Sequence, residues 1–372
     1  MTNMLDYIKW RGDLSFAAAP FTEVDNLILS DFSYLDFTGI VPPDFESKIV
    51  LKDAVERYLK KCGEDRSLGV LVPDDILKMS RMMADSRRYE GAVLCGYVNR
   101  INETTGLQFS ALTCTLEDGT VCVVYRGTDD TLVGWKESFA LSYSKVIPSH
   151  GEALEYMKKA ALSTHMPIRV MGHSKGGNLA VYASAFASAE TQARIIGIYN
   201  NDGPGFNEDI RKTEGYMRIK HKLHTLVPQS SVVGMLLEHE DDYTVVKSRS
   251  HTGIMSHNGF SWEVDGPSFN HLDDISAGGH LVDDTLKHWL GEMDDDRREQ
   301  FADTLFSLLE VTGAKTLTEL NQPKNAPAVM KAVQNLDRES RELINKTFSL
   351  LFQASKKSIA DRAGKRSLFK HM

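Results

Sequence analysis

Val170-Met171-Gly172-His173-Ser174-Lys175-Gly176-Gly177 sets a serine between glycines, directly after a short apolar run and directly before a stretch of small residues with helical spacing. Pro167 precedes the run Ile168 to Met171, which reads as a strand, and Asn178 to Ala189 reads as a helix. So sharp a strand-to-helix turn lifts Ser174 clear of the sheet. Glycine is needed at 172 and 176, because a β-carbon there would strike neighbouring backbone. Gly172, His173 and Gly176 therefore form an elbow around a candidate nucleophile, Ser174. The N–H groups of the helix's first turn lie beside it, so the N–H of Lys175 can donate to an oxyanion. A phosphate-binding turn is the alternative, but the P-loop spacing is absent, since Lys175 is followed by Gly176 and not by Ser or Thr.

Upstream of the elbow, Gly91 to Ile101, Gln108 to Leu116 and Thr120 to Tyr125 are rich in Val, Leu, Thr, Cys and Tyr, with Asp118-Gly119 as a hairpin turn. Ser149 and Glu152 have the form of a capping box opening a helix through about Leu162. Downstream, Arg194 to Tyr199, His224 to Val227 and Thr244 to Lys247 read as further strands. This alternation predicts an α/β fold with a mainly parallel sheet and helices on both faces. Three regions are expected: an α-rich N-terminal extension (1–90), the α/β core (91–290) and a helical C-terminal extension (291–372). One long helix is predicted from about Pro327 to Ile359, with an apolar stripe through Val329, Val333, Leu336, Leu343 and Phe352. The end from Lys356 holds six Lys/Arg against one Asp. A solvated basic end is the plain reading, and a membrane-surface or partner-docking tail the alternative.

The 372 residues carry 43 Lys+Arg against 51 Asp+Glu, a net charge of −8, with 42% hydrophobic residues. A net acidic chain without a dominant basic stretch is a poor match to nucleic acid. The four cysteines, Cys62, Cys95, Cys114 and Cys122, form no CxxC pair and read as reduced core residues. The charged N-terminus lacks a signal-peptide pattern and no window offers about 18 apolar residues in a row, so a cytoplasmic location is expected. No metal or cofactor is expected: His221-x-x-His224 and His239-Glu240-Asp241 lack further ligands at metal spacing, and no Gly-x-Gly-x-x-Gly opens a helix.

A second oxyanion donor has to come from a loop after another strand. Val121 to Thr128 ends in such a loop, which makes the N–H of Thr128 the candidate. With Arg126-Gly127-Thr128 ahead of the elbow, the chain resembles the lipase class 3 branch of the α/β-hydrolases. More closely, it resembles a family of poorly characterised bacterial lipase-like proteins. That resemblance rests on Leu5-Asp6-Tyr7-Ile8-Lys9-Trp10-Arg11-Gly12-Asp13, Arg126 to Thr131 with Gly134-Trp135-Lys136, Gly172 to Asn178, Asp202-Gly203-Pro204-Gly205-Phe206 and Val227-Pro228-Gln229-Ser230-Ser231. It spans roughly Met4 to Ala314. It implies an α/β-hydrolase with a Ser-His-acid site and names no substrate.

The order nucleophile, acid, histidine asks for a late histidine among the twelve present. His257 sits in a turn-rich loop after the last predicted strand of the core, and it matches the family's late histidine ahead of an aromatic pair, here Phe260 and Trp262. His251, His271 and His280 are its rivals. Class 3 lipases place the acid after the second strand beyond the nucleophile, but Leu226 to Val232 contains no carboxylate. Asp202, at the end of the preceding strand, is the replacement, with Asp241 or Asp242 in reserve or a Ser-His pair working without an acid. Ser231 to Leu237 is expected to line an acyl pocket or lid, or else to start an ordinary buried helix. The resulting expectation is a serine esterase acting on a small-molecule or lipid acyl ester. A non-catalytic binding protein on the same scaffold and an acyltransferase are the alternatives.

Overall fold

The computed structural model describes residues 2–63, 67–69, 72–206, 208–234, 243–250, 253–347 and 349. Four helices open the chain, α1 (Met4–Arg11), α2 (Glu23–Phe32), α3 (Leu51–Cys62) and α4 (Asp75–Ala84), with the short strand β1 (Ile49–Val50) before α3. In α3 the buried residues Leu51, Ala54, Val55 and Tyr58 recur at three and four, an apolar stripe that one helix face can bury. Then come β2 (Val93–Asn102), β3 (Leu107–Thr115), β4 (Val121–Tyr125), α5 (Leu132–Ala140), α6 (Pro148–Leu162), β5 (Ile168–His173), α7 (Lys175–Phe186), α8 (Ala189–Arg194) and β6 (Ile195–Asn201). The short α9 (Glu208–Arg211) and α10 (Glu214–Ile219) lead to β7 (Leu223–Pro228) and β8 (Tyr243–Val246). After α11 (Gly253–Ser256) come three two-residue strands, β9 (Val264–Asp265), β10 (Ser268–Phe269) and β11 (His271–Leu272). The helices α12 (Ala277–Gly291), α13 (Asp295–Glu310), α14 (Leu317–Leu320) and α15 (Ala326–Asn335) follow.

The main sheet runs in the order β1-β2-β3-β4-β5-β6-β7-β8-β11. Strands β4 to β8 pair in parallel. The pairs β1-β2, β2-β3, β3-β4 and β8-β11 are antiparallel. The sheet is thus mixed, parallel at its centre and antiparallel at both edges, where a mainly parallel one was expected. The reason is local: tight turns such as Asp118-Gly119 can join only antiparallel neighbours, whereas the central strands are joined by crossover helices. Residues alternate between the two faces, as along β4, where Cys122 and Val124 join one core and Val123 and Tyr125 the other. The first core holds α1 to α4 against the sheet; the second holds α6, α7 and α10.

Two helix boundaries differ from expectation. Helix α6 begins at Pro148, Ser149 donates its backbone N–H to Glu137 at 2.8 Å, and Glu152 pairs with Arg100 across to β2, so the Ser149–Glu152 capping box does not form. The predicted long C-terminal helix breaks after α15. Leu336 adopts an extended ψ of 136°, and the carboxylate of Asp337 caps the next helical turn by accepting from the N–H of Ser340. The basic end from Lys356 lies outside the described residues. Among the described residues no helix is long and apolar enough to cross a membrane.

Helix α2 is buried on all sides, polar residues included: Asp25, Asn26, Ser30 and Asp31 are each at most 2% exposed. Buried charge requires a partner. Asp25 receives the Arg88 guanidinium through two bonds of 2.6 Å, with both side chains fully buried. The Asp25 carboxylate also accepts from the backbone N–H of Thr22 at 2.8 Å, closing the N-terminal cap of α2. Breaking a buried pair on one side leaves an unpaired buried charge. Arg88→Met is therefore expected to cost about 3–5 kcal/mol, read as a lowered midpoint in a urea titration.

Candidate active site

Ser174 stands between β5 and α7 with φ 57° and ψ −133°, and Asp202, just past the end of β6, has φ 50°. Among the described residues these are the two non-glycine positions with left-handed φ, and such strain persists only where its surroundings hold it in place. Both lie at the carboxyl ends of neighbouring parallel strands. At the elbow, a β-carbon on Gly172 would meet the carbonyl carbon of Gly176 at 2.2 Å, and one on Gly176 would meet the Tyr125 carbonyl at 2.1 Å. The glycines thus let the first turn of α7 close directly onto β4 and β5. Asn201 fastens the turn from the other side, accepting from the N–H of Ser174 at 2.9 Å and donating its side-chain amide to the Gly172 carbonyl at 2.9 Å.

His257 follows α11 in a segment anchored by Trp262, whose indole N–H donates to the Ser256 carbonyl at 2.9 Å and whose side chain is fully buried. Its Nδ1 lies 2.6 Å from Oδ2 of Asp202. Asp202 is buried while the His257 side chain stays 20% exposed. The other carboxylate oxygen of Asp202 accepts from the hydroxyl of Ser231 and from the N–H of Gly234 at 3.1 Å. The strand β7 thus brings a hydroxyl, not a carboxylate, to this place. Since β6 and β7 lie side by side, an acid moved by one strand still reaches the histidine. Two residues of the expected acyl-pocket segment, Ser231 and Gly234, hold Asp202 instead. Met235 to Leu237, like Asp241, Asp242 and His251, lie outside the described residues. The remaining rivals bind carboxylates elsewhere: His271 pairs with Glu23 and His280 with Asp274.

The Arg126-to-Thr131 loop is built residue by residue. Arg126 binds Asp129 at 2.8 Å, Asp129 accepts from the N–H of Thr131, and Thr131 caps α5 through the N–H of Gly134. The hydroxyl of Thr128 meets that of Ser138 in the second turn of α5. Lys175, named for its backbone N–H, has a second part to play: its ammonium is 1% exposed and donates to the Gln108 carbonyl at 2.6 Å, to Gln108 Oε1 at 2.7 Å and to Glu137 at 2.6 Å. Burial pulls this ammonium below the ordinary lysine range and the Glu137 carboxylate opposes that shift. The pair ties α7, which carries the Lys175 N–H, to α5, the helix that follows the loop carrying Thr128.

The N-terminal helices contribute residues that sequence reasoning did not single out. The side chains of Asn26 and Asn201 exchange hydrogen bonds of 2.8 and 3.1 Å. Asp31 lies 3.3 Å from Nδ1 of His173, whose Nε2 is 2.9 Å from the His257 carbonyl and whose ring stacks on that of His257 at 4.5 Å. Burial raises the Asp31 carboxyl to about 8 and holds His173 well below the usual histidine range. Both shifts favour the uncharged forms, and a carbonyl only accepts, so His173 donates Nε2–H to the carbonyl of His257. The available signal was a run of polar residues inside an apolar helix, Asp25, Asn26, Ser30 and Asp31. Among the described residues no group of three His, Cys, Asp or Glu is placed to hold a metal ion.

Two expected outcomes follow from these buried groups. Lys175→Met alone should lower stability by about 3–5 kcal/mol, and adding Glu137→Leu should restore most of it, both read from urea midpoints. Asp31 keeps its proton in the folded state where the unfolded chain has lost it, so its contribution to stability fades as pH rises from about 4 to about 8. His173 acts in the opposite sense, but only below about 6.5. Between pH 6.5 and 8, Asp31→Asn should therefore flatten the fall in stability by up to about 1.4 kcal/mol per pH unit, measured as a difference between the two denaturation profiles.

The sequence profile of the Mbeg1-like family, a lipase-like family, matches residues 83–307, more than half of the chain and the whole of the site from Gly127 to His257. Among curated proteins none matches the sequence. A crystal structure of M37 lipase superposes with a TM-score of 0.35 at 12% identity, covering 86% of this chain and 97% of the lipase. By the extent of its sequence match, the chain belongs to the Mbeg1-like family.

Proposed function

We propose that the protein is a serine hydrolase that cleaves carboxylic esters, of lipid or other acyl groups, through an acyl-enzyme. One observation carries this reading: a serine in a strained elbow and a strained aspartate occupy adjacent strand ends, and the aspartate binds Nδ1 of a partly exposed histidine. In the proposed reaction Ser174 Oγ bonds to the carbonyl carbon and gives its proton to Nε2 of His257. The carbonyl π electrons move to oxygen, where the N–H groups of Thr128 and Lys175 receive the negative charge. Asp202 accepts from Nδ1–H, which orients the ring and stabilises the imidazolium. Collapse of the tetrahedral species expels the alcohol, which takes the proton from Nε2. Water then repeats the sequence and frees the acid and Ser174.

Support comes from the elements as well as the side chains. The oxyanion donors sit on backbone held by buried bonds, so they need no reorganisation when charge develops. The acid is buried and has every oxygen engaged, which suits an orienting role. Labelling with a fluorophosphonate tests the reading, comparing wild type with Ser174→Ala, His257→Ala and Asp202→Asn after each is seen to be folded. Labelling should vanish in the first and slow by roughly 10³ to 10⁴ in the other two. A folded wild type that never labels would overturn the hydrolase reading in favour of a non-catalytic binding protein.

A further inference from the structure

Tyr34 lies two residues beyond α2, with its N–H bonded to the Asp31 carbonyl at 3.1 Å. Its ring meets the His173 ring edge to face, with centroids 6.2 Å apart. Its hydroxyl occupies the space that a side chain on Gly127 would fill: a β-carbon there would meet Tyr34 Oη at 2.2 Å, the His173 carbonyl at 2.6 Å and Ser174 Cβ at 3.1 Å. The phenol and the candidate nucleophile therefore border the same face of Gly127, the residue before the expected oxyanion donor Thr128. This explains why a glycine stands there.

Elsewhere in the fold, several buried tyrosine hydroxyls are engaged. Tyr7 and Tyr89 donate to Asp25, Tyr97 to Asp36 and Tyr125 to the Ala153 carbonyl, and Tyr156 bonds Thr113. Tyr34 is half-buried, and among the described residues its hydroxyl makes no such bond, which leaves its O–H able to donate to a bound group. Burial, with Asp31 nearby, holds it well above the ordinary tyrosine range, so it keeps its proton at neutral pH. The Asp25–Arg88 pair ties α2 to the segment between α4 and β2, and the Asn26–Asn201 exchange ties it to the end of β6 beside the elbow.

We propose that Tyr34 is a further catalytic residue, whose phenol O–H donates a hydrogen bond to the oxyanion formed when Ser174 attacks, alongside the N–H groups of Thr128 and Lys175. This rests on the hydrolase reading above. No proton is transferred; the bond strengthens as the carbonyl oxygen becomes negative, so its effect belongs to the transition state and not to substrate binding.

Tyr34→Phe removes the one oxygen and keeps the ring against His173. In full-length protein, kcat for a p-nitrophenyl ester and the rate of fluorophosphonate labelling should both fall about 100-fold. KM and the melting temperature should stay within experimental error. Affinity for an acyl trifluoromethyl ketone, which forms a stable oxyanion on the serine, should fall by the same factor as kcat. A Tyr34→Phe protein that labels and turns over within twofold of wild type overturns the proposal while leaving the hydrolase reading intact. So does a loss confined to KM. If wild type itself neither labels nor turns over, the hydrolase reading fails and takes this role with it.

Discussion

The Tyr125 carbonyl leaves no room for a β-carbon at residue 176, and this close approach of β4 to the first turn of α7 decides where Ser174 stands. A larger residue at 176 or 172 would push the helix off the sheet. It would carry the serine away from Asn201. Left-handed backbone at Ser174 is the local cost of this arrangement, offset by the hydrogen bonds that Asn201 makes to both sides of the turn.

Buried polar side chains extend that constraint outward. Lys175 and Glu137 join the elbow helix to α5, while Asn178 holds the carbonyls of Pro204 and Gly205 and so the loop that follows Asp202. Asn26 and Asn201 join the elbow to α2, and His173 links Asp31 of α2 to the main chain of His257. Each group is costly to bury without its partner. Together they make the position of the candidate site a property of the packed unit, with α1 to α4 packed into the same core as the sheet.

Sheet order explains how Asp202 reaches His257. Strands β6 and β7 are hydrogen-bonded neighbours, and Asp202 donates its backbone N–H to the Leu226 carbonyl of β7 at 2.8 Å. An acid at the end of either strand faces the same histidine loop. Here β6 supplies the carboxylate and β7 the hydroxyl of Ser231 that binds it, an exchange of partners that preserves the direction from which His257 is held.

Local chemistry along the chain determined much of this. The strand, elbow and helix around Ser174, the hairpin at Asp118-Gly119 and the helical stripe of α3 could all be read directly, because each depends on residues a few positions apart. The pairing of His257 with Asp202 was legible as one choice among several; only the fold brings residues 55 positions apart to 2.6 Å. The surroundings of Asp31, Tyr34 and the Lys175 ammonium were not legible. In a sequence a buried aspartate, a tyrosine after a helix and a lysine after a serine look like any solvated polar residues. Their meaning comes from what the packed sheet and helices set opposite them, and tertiary structure alone removes the water that would otherwise make those contacts unimportant.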